Sequence, residues 1–213
     1  INYRLGTLGL LGTQGKFKGN NSLKDQIAAL EWVQNNIAKF GGDPDNVTIF
    51  GESAGAWSVC TLLAAPKASP LFHKAIMESG ACTSTTLADH NAADEWLIKK
   101  LGCWENGTPA AQEKCLRQAS AKTLAQAWVL NRPKSIELAK VFVIAPYVDG
   151  ETLPLAPLEA LAKGKINKPL INGTDKEELA SLAWLLSLLG VIDFDNAQTL
   201  EALVEKPEAK YLR

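Results

Sequence analysis

Val47-Thr48-Ile49-Phe50-Gly51-Glu52-Ser53-Ala54-Gly55 is the stretch whose reading decides the fold. Its first four residues form a short β-branched and aromatic strand without polar–apolar alternation, the pattern of a strand buried on both faces in a parallel sheet. Residues 54–65 read as a helix, ended by Pro66. Between them stands G-x-S-x-G, which carries a mechanism only when a strand precedes it and a helix follows. That order is present. So tight a turn strains the serine and demands small neighbours, which Gly51, Ala54 and Gly55 are expected to supply. The geometry lifts the Ser53 hydroxyl above the sheet at the helix N-terminus. There the Ala54 N–H and the helix dipole are placed to stabilise a developing oxyanion. Ser53 is the candidate nucleophile.

Upstream, residues 1–5 read as the end of a strand, and Gly6, Gly9, Gly12, Gly15 and Gly19 as a glycine-rich surface turn. Neither G-x-G-x-x-G nor a P-loop pattern follows a strand there, so phosphate binding has no support. Ile27, Leu30, Val33, Ile37 and Phe40 recur at three- and four-residue steps. They predict a helix over 23–40, capped by Ser22 and stopped by Gly41-Gly42. Asp43-Pro44 reads as a turn. Downstream, Lys74-Ala75-Ile76-Met77 is a second buried strand closed by Ser79-Gly80, and 87–101 and 109–130 are helical. Residues 142–148 lead into Asp149-Gly150, and Pro169-Leu170-Ile171 is a last strand before Gly173. Strands alternating with helices predict βαβ units and a mostly parallel sheet. With no repeat and no Pro/Ser-rich linker, 1–213 reads as a single domain or most of one. Its parts are the elbow at 47–65, a helical excursion with a Cys loop at about 87–130, and an acid-bearing strand and loop at about 169–178.

The 213 residues are 46% hydrophobic, enough for a sizeable core, and carry a net charge of −1. No basic excess exists to neutralise phosphates, so nucleic acid is excluded as a partner and a neutral or weakly charged one is expected. The longest apolar run, 179–191, is too short to cross a bilayer and is expected to be a buried or surface-packed helix. The start at Ile1-Asn2-Tyr3-Arg4, with no Met or leader pattern, is that of an internal piece or a processed product. The six tryptophans are expected to pack in the core or between helices.

Cys60, Cys82, Cys103 and Cys115 lack C-x-x-C spacing, and only two histidines are present, so a structural zinc site is not expected. Cys103 and Cys115 bracket a polar loop and suit a disulfide, worth roughly 3 kcal/mol in the chain-entropy model. The pairing of Cys60 and Cys82 stays open. N-x-S/T sequons begin at Asn20, Asn46, Asn106 and Asn172. With the Cys pair they favour a secreted glycoprotein over a cytosolic one, though a cytoplasmic location stays open.

A serine hydroxyl needs a histidine base, itself oriented by a carboxylate, and at an elbow of this kind the chain order is Ser, Asp or Glu, then His. Glu177 and Glu178 follow the last strand and are candidate acids. The base is harder to find. His73 enters a buried strand and reads as a packed or half-exposed structural residue, whereas His90, among Asp89, Asn91 and Asp94, reads as solvated. No histidine follows the acids.

A longer set of residues carries a family resemblance. It comprises Asn2-Tyr3-Arg4-Leu5-Gly6, Gly19-Asn20-Asn21, Asp25-Gln26, Ala29-Leu30-Glu31-Trp32-Val33, Asn36-Ile37, Phe40-Gly41-Gly42-Asp43-Pro44 and the elbow stretch itself. Leu71-Phe72-His73-Lys74-Ala75-Ile76, Ser79-Gly80, Pro146, Asp149-Gly150, Pro154 and Pro169-Leu170-Ile171 with Gly173 extend it. On these residues the chain resembles the type-B carboxylesterase/lipase family, which includes the cholinesterases. The resemblance weakens after Leu179.

The resemblance implies an α/β-hydrolase fold, a mostly parallel sheet with helices on both faces, incomplete at both ends. It implies ester hydrolysis through an acyl-enzyme on a small-molecule carboxylic ester or lipid, with no metal or organic cofactor. Ser53 is then the nucleophile, Ala54 an oxyanion-hole donor and Glu178 the triad acid. Leu179 stands where the family has Gly, which keeps Glu177 as the alternative. Glu52 matches a buried glutamate beside the nucleophile, Ser79 a serine of a supporting hydrogen-bond network, and Cys103 with Cys115 the family's disulfide loop. A Gly-Gly oxyanion loop is expected upstream of Ile1 and the catalytic His downstream of Arg213. Two rivals are a non-catalytic adhesion or interaction protein on the same fold, and another serine acyl-transfer enzyme such as a peptidase or thioesterase. Oligomeric state is left open.

Overall fold

A computed structural model describes residues 1–12, 18–82, 84–104, 107–129, 146–176 and 178. The chain falls into two compact units, Ile1–Gly173 and Thr174–Arg213. In the first, β1 (Thr48–Glu52), β2 (Lys74–Glu78) and β3 (Leu170–Gly173) form a parallel sheet in that order. The register pairs Glu52 with Glu78 and Glu78 with Gly173, so all three strands end level. The segments that follow them, which begin at Ser53, Ser79 and Thr174, leave from this carboxyl edge. Carboxyl edges of parallel sheets are where such folds place their chemistry.

Among the described residues the helices are α1 (Gly6–Leu10), α2 (Asn21–Asn36), α3 (Ala54–Ala64), α4 (Leu87–Lys100), α5 (Pro109–Gln118), α6 (Ala121–Val129) and α7 (Pro157–Ala162). The segment read as a glycine turn contains α1. There Gly9 serves packing, since a side chain on it would strike the Arg4 carbonyl and the Ser22 hydroxyl. No strand is assigned over 1–5. The long helix predicted over 23–40 is α2 followed by a tighter 3-10 turn, Ile37–Phe40. That turn swings Phe40 out of the buried stripe, to 72% exposure, against the Trp32 ring at 5.7 Å. Gly41, at φ 81, ends it as predicted. Ser22 is not the cap: Asn20 holds that position, and the Ser22 hydroxyl donates to the Arg4 carbonyl at 2.5 Å. The helical stretch read over 109–130 is broken between α5 and α6 at Ala119-Ser120, and α7 has no counterpart in the sequence reading.

One core cluster joins Leu23, Ile27 and Leu30 of α2, much of α3, Ile49, Ala75 and Met77 of the sheet, and Phe72, which is fully buried. Strand residues alternate sides, and the opposite side of β1 is open: Phe50 is 74% exposed. The expectation that β1 is buried on both faces is therefore not met among the described residues, and β3 is exposed along its length. A second cluster gathers Leu11, Leu97, Ile98, Leu116 and Ala127 around Cys103. Cys103 is bonded to Cys115, as expected, and Cys60 is bonded to Cys82.

Polar groups join the α1–α2 connection to α4 and to Tyr147–Asp149. Asn20 is fully buried. Its Nδ2 donates to the Tyr147 carbonyl at 2.8 Å and to Asp149 Oδ2 at 2.9 Å, and its Oδ1 accepts from the Tyr147 amide at 3.0 Å. The sequon at Asn20 is closed by that burial. His90 is 3% exposed, not solvated. It faces inward from α4 with Asp94 one turn on, its Nε2 2.9 Å from Asp94 Oδ2 and its ring stacked on Tyr147 at 3.4 Å. The exposed Asn91 that suggested solvent lies on another face of the helix. The run at 179–191, the sequon at Asn106 and residues 142–145 fall outside the described residues.

Candidate active site

β1 ends at Glu52, α3 begins at Ala54, and Ser53 alone makes the turn, at φ 53 and ψ −115. A non-glycine residue at positive φ is strained and persists only where its surroundings over-determine it. Here they do. The Ser53 amide donates to the Glu78 carbonyl at 2.9 Å, extending the β1–β2 ladder, and its carbonyl accepts from the Trp57 amide at 3.1 Å. A Cβ on Gly51 would fall 2.8 Å from Gly55 Cα and nearer still to the Gly55 carbonyl, so β1 and α3 close on each other only without a side chain there. Gly55 itself faces open space, so its smallness is not demanded by the described residues. What is demanded is that Gly51 leave room for the Gly55 backbone.

The turn leaves Ser53 exposed at the start of an eleven-residue helix. As the first residue of that helix, Ala54 has no intrahelical carbonyl for its N–H. The arrangement thus sets a hydroxyl beside the positive end of a helix dipole, with a donor available to an anion. Glu52 is exposed, so the burial that the resemblance implies for it is not supplied by the described residues. Its side chain shares the open side of β1 with Phe50. Ser79, half-buried, follows β2 at φ 52, and its amide donates to the Gly173 carbonyl at 2.8 Å. Ser53 and Ser79 are therefore held one strand apart at the same edge, each with an inverted backbone.

Glu178 belongs to the second unit, where it is exposed and its Oε1 accepts from the Asp175 amide at 3.3 Å. Glu177 lies outside the described residues. Neither histidine is set beside Ser53. His73 sits at the amino end of β2, where its Nδ1 accepts from the Val47 amide at 3.1 Å. Five strand residues separate that end from the carboxyl edge, about 17 Å. His90 is engaged by Asp94 and Tyr147. Among the described residues no three His, Cys, Asp or Glu side chains form a group that could hold a metal.

Sequence reasoning left the pairing of Cys60 and Cys82 open, although an even count with one pair assigned pointed to the bond the structure has. It also missed the Asn20–Tyr147–His90 cluster, for which the buried sequon asparagine offers no local signal.

Comparison with known proteins agrees with this geometry. A model of the carboxylesterase family matches residues 1–205. Carboxylesterase 1C of Rattus norvegicus is 41% identical over 190 residues, 87% of this chain and 32% of the relative. Para-nitrobenzyl esterase of Bacillus subtilis (strain 168) is 38% identical over 211 residues, 96% of this chain and 41% of the relative. A solved structure of PNB esterase superposes with a TM-score of 0.75 at 39% identity, covering 83% of this chain and 38% of that one. The chain spans between 32% and 41% of the length of these two relatives. No helix among the described residues is long and apolar enough to cross a membrane. With the positive-φ turn at Ser53, the parallel sheet and these matches in agreement, the chain belongs to the carboxylesterase family and has the α/β-hydrolase fold.

Proposed function

We propose that the protein is a carboxylic ester hydrolase in which Ser53 forms an acyl-enzyme. The observation that carries this reading is Ser53 at φ 53 between a parallel strand and a helix whose first N–H, that of Ala54, has no intrahelical partner. The Ser53 oxygen attacks the ester carbonyl as a base takes its proton. The oxyanion so formed accepts from Ala54, the alcohol leaves with the proton, and water releases the acid in a second round. Glu178 orients the base, with Glu177 as its alternative. Glu52, just before Ser53, and Ser79, just after the neighbouring strand, are the supporting residues of this reading. Since His73 and His90 are both committed elsewhere, the base comes from outside these 213 residues.

The substrate class is a carboxylic ester, neutral or weakly charged, as the net charge of −1 favours. Two disulfides support an oxidising compartment, which is the secretory pathway or the cell exterior. The test is covalent labelling of the intact protein by an organophosphorus ester. Labelling is expected at Ser53 and is lost in Ser53→Ala, with ester turnover falling by a factor on the order of 10⁶. An intact protein that takes up no label refutes the hydrolase reading. The 213-residue chain alone, lacking a base, is expected to label weakly or not at all.

A further inference from the structure

The residues after β2 run up one face of the nucleophile helix. At the bottom, the Ser53 amide donates to the Glu78 carbonyl at 2.9 Å. One step higher, Gly80 lies so close that a Cβ on it would overlap the Ala56 side chain and stand 2.8 Å from the Ser53 carbonyl. At the top, Cys82 is bonded to Cys60, with Cα atoms 5.4 Å apart. Residues 53, 56 and 60 share a single helix stripe at i, i+3 and i+7, and Glu78, Gly80 and Cys82 touch it in step. The result is a five-residue strap along α3 with a covalent bolt at its far end. Both non-glycine residues with inverted backbone at the sheet edge, Ser53 and Ser79, lie at the other end.

We infer that the Cys60–Cys82 pair is a positioning clamp for the nucleophile: by fixing the strap to α3, it holds Ser53 and the Ala54 N–H in reactive orientation. This rests on the hydrolase reading of Ser53. Cys60 is fully buried about 10 Å along the helix from Ser53, so it acts through backbone placement and touches no reacting atom. The Cys103–Cys115 bond is the internal control. It closes a loop of similar kind, but within the second core cluster.

The experiment compares Cys60→Ala/Cys82→Ala with Cys103→Ala/Cys115→Ala in the intact protein, by amide hydrogen exchange and by organophosphorus labelling of the folded fraction. In the first variant, exchange of the hydrogen-bonded amides of Ser53, Trp57 and Ser79 rises about tenfold or more. Labelling slows by about tenfold to a hundredfold, the cost of misplacing a nucleophile by an ångström or less. In the second variant exchange rises over 96–118, while the elbow and its labelling rate stay as in the wild type. Should the first variant unfold, each single Cys→Ala change is read the same way at low temperature. Unchanged exchange of the Ser53 and Trp57 amides overturns the clamp, and so does a loss of labelling equal in both variants and proportional to the fall in Tm. A wild type that takes up no label refutes the hydrolase reading instead, and the exchange result still decides the clamp.

Discussion

The turn at Ser53 draws its geometry from residues a few positions apart, Gly51 against Gly55 and Ser53 against Trp57, with one ladder bond to the next strand. The cluster around Asn20 is assembled from segments 127 to 129 residues apart. Both are rigid, for different reasons. At the elbow, steric exclusion leaves the backbone one path. In the cluster, polar groups removed from water find each other because no other partners remain. Local exclusion writes itself into sequence as a motif, whereas long-range satisfaction does not.

The largest expected effect breaks the elbow by filling the gap between Gly51 and Gly55. In Gly51→Ala the new methyl meets the Gly55 backbone, which has no flexible side chain to move aside. Overpacking of this kind costs about 3 kcal/mol, or roughly 6–12 °C in Tm for a domain of this size. The strand and helix must also part, so Ser53 labelling of the folded fraction falls by about a hundredfold. Gly55→Ala is the counterpart, expected to label near the wild-type rate because no described residue stands within 4 Å of the added methyl. If the two variants behave alike, the elbow is not held by the Gly51–Gly55 approach.

An intermediate effect tests whether the cluster is independent of the elbow. Asn20→Ala removes three hydrogen bonds at a fully buried position and strands the Tyr147 amide and carbonyl. Asp149 retains its other partners, the amides of Glu151, Thr152 and Leu153. A loss of about 2–3 kcal/mol is expected in denaturant unfolding, with the labelling rate of the folded fraction unchanged. A slower label would couple the two regions and contradict the separation drawn above.

What was legible in the sequence divides along the same line. Ser53, α3, β2 and the Gly41 stop were visible because each depends on a steric rule acting over a few residues. The Cys103–Cys115 bond was visible for the same reason, its partners being 12 residues apart. His90 was misread because its flanking polar residues say nothing about which way one helical position faces. Phe40 was misread because a shift from α to 3-10 winding rotates a side chain without altering the apolar spacing. The Val47–Phe50 run, read as buried on both faces, reports what the strand is built to meet. Within the described residues only the Ile49 side is met.

The smallest expected effect sharpens the picture of the cluster by asking whether charge or neutral hydrogen bonding holds it. Burial lifts the Asp94 carboxyl above its usual value of 3.8, against the lowering pull of His90 and the Gly12 amide. A carboxyl raised in the folded state contributes stability in full below its unfolded value, and that contribution is lost as pH rises through the folded value. Tyr147 stacks on the same imidazole, and its hydroxyl is held well above the usual range by burial and by Asp94 and Asp149. A further negative charge is therefore unwelcome there. Asp94→Asn keeps an oxygen for the Gly12 amide, which now donates to it at 2.9 Å, and has no charge to desolvate. The variant is expected to match the wild type near pH 4 and to exceed it by about 1 kcal/mol or less at pH 7, as thermal unfolding across that range would show. A loss at pH 7 would instead mean that the pairing of Asp94 with His90 outweighs the burial of its charge, and that the cluster is held by an ion pair.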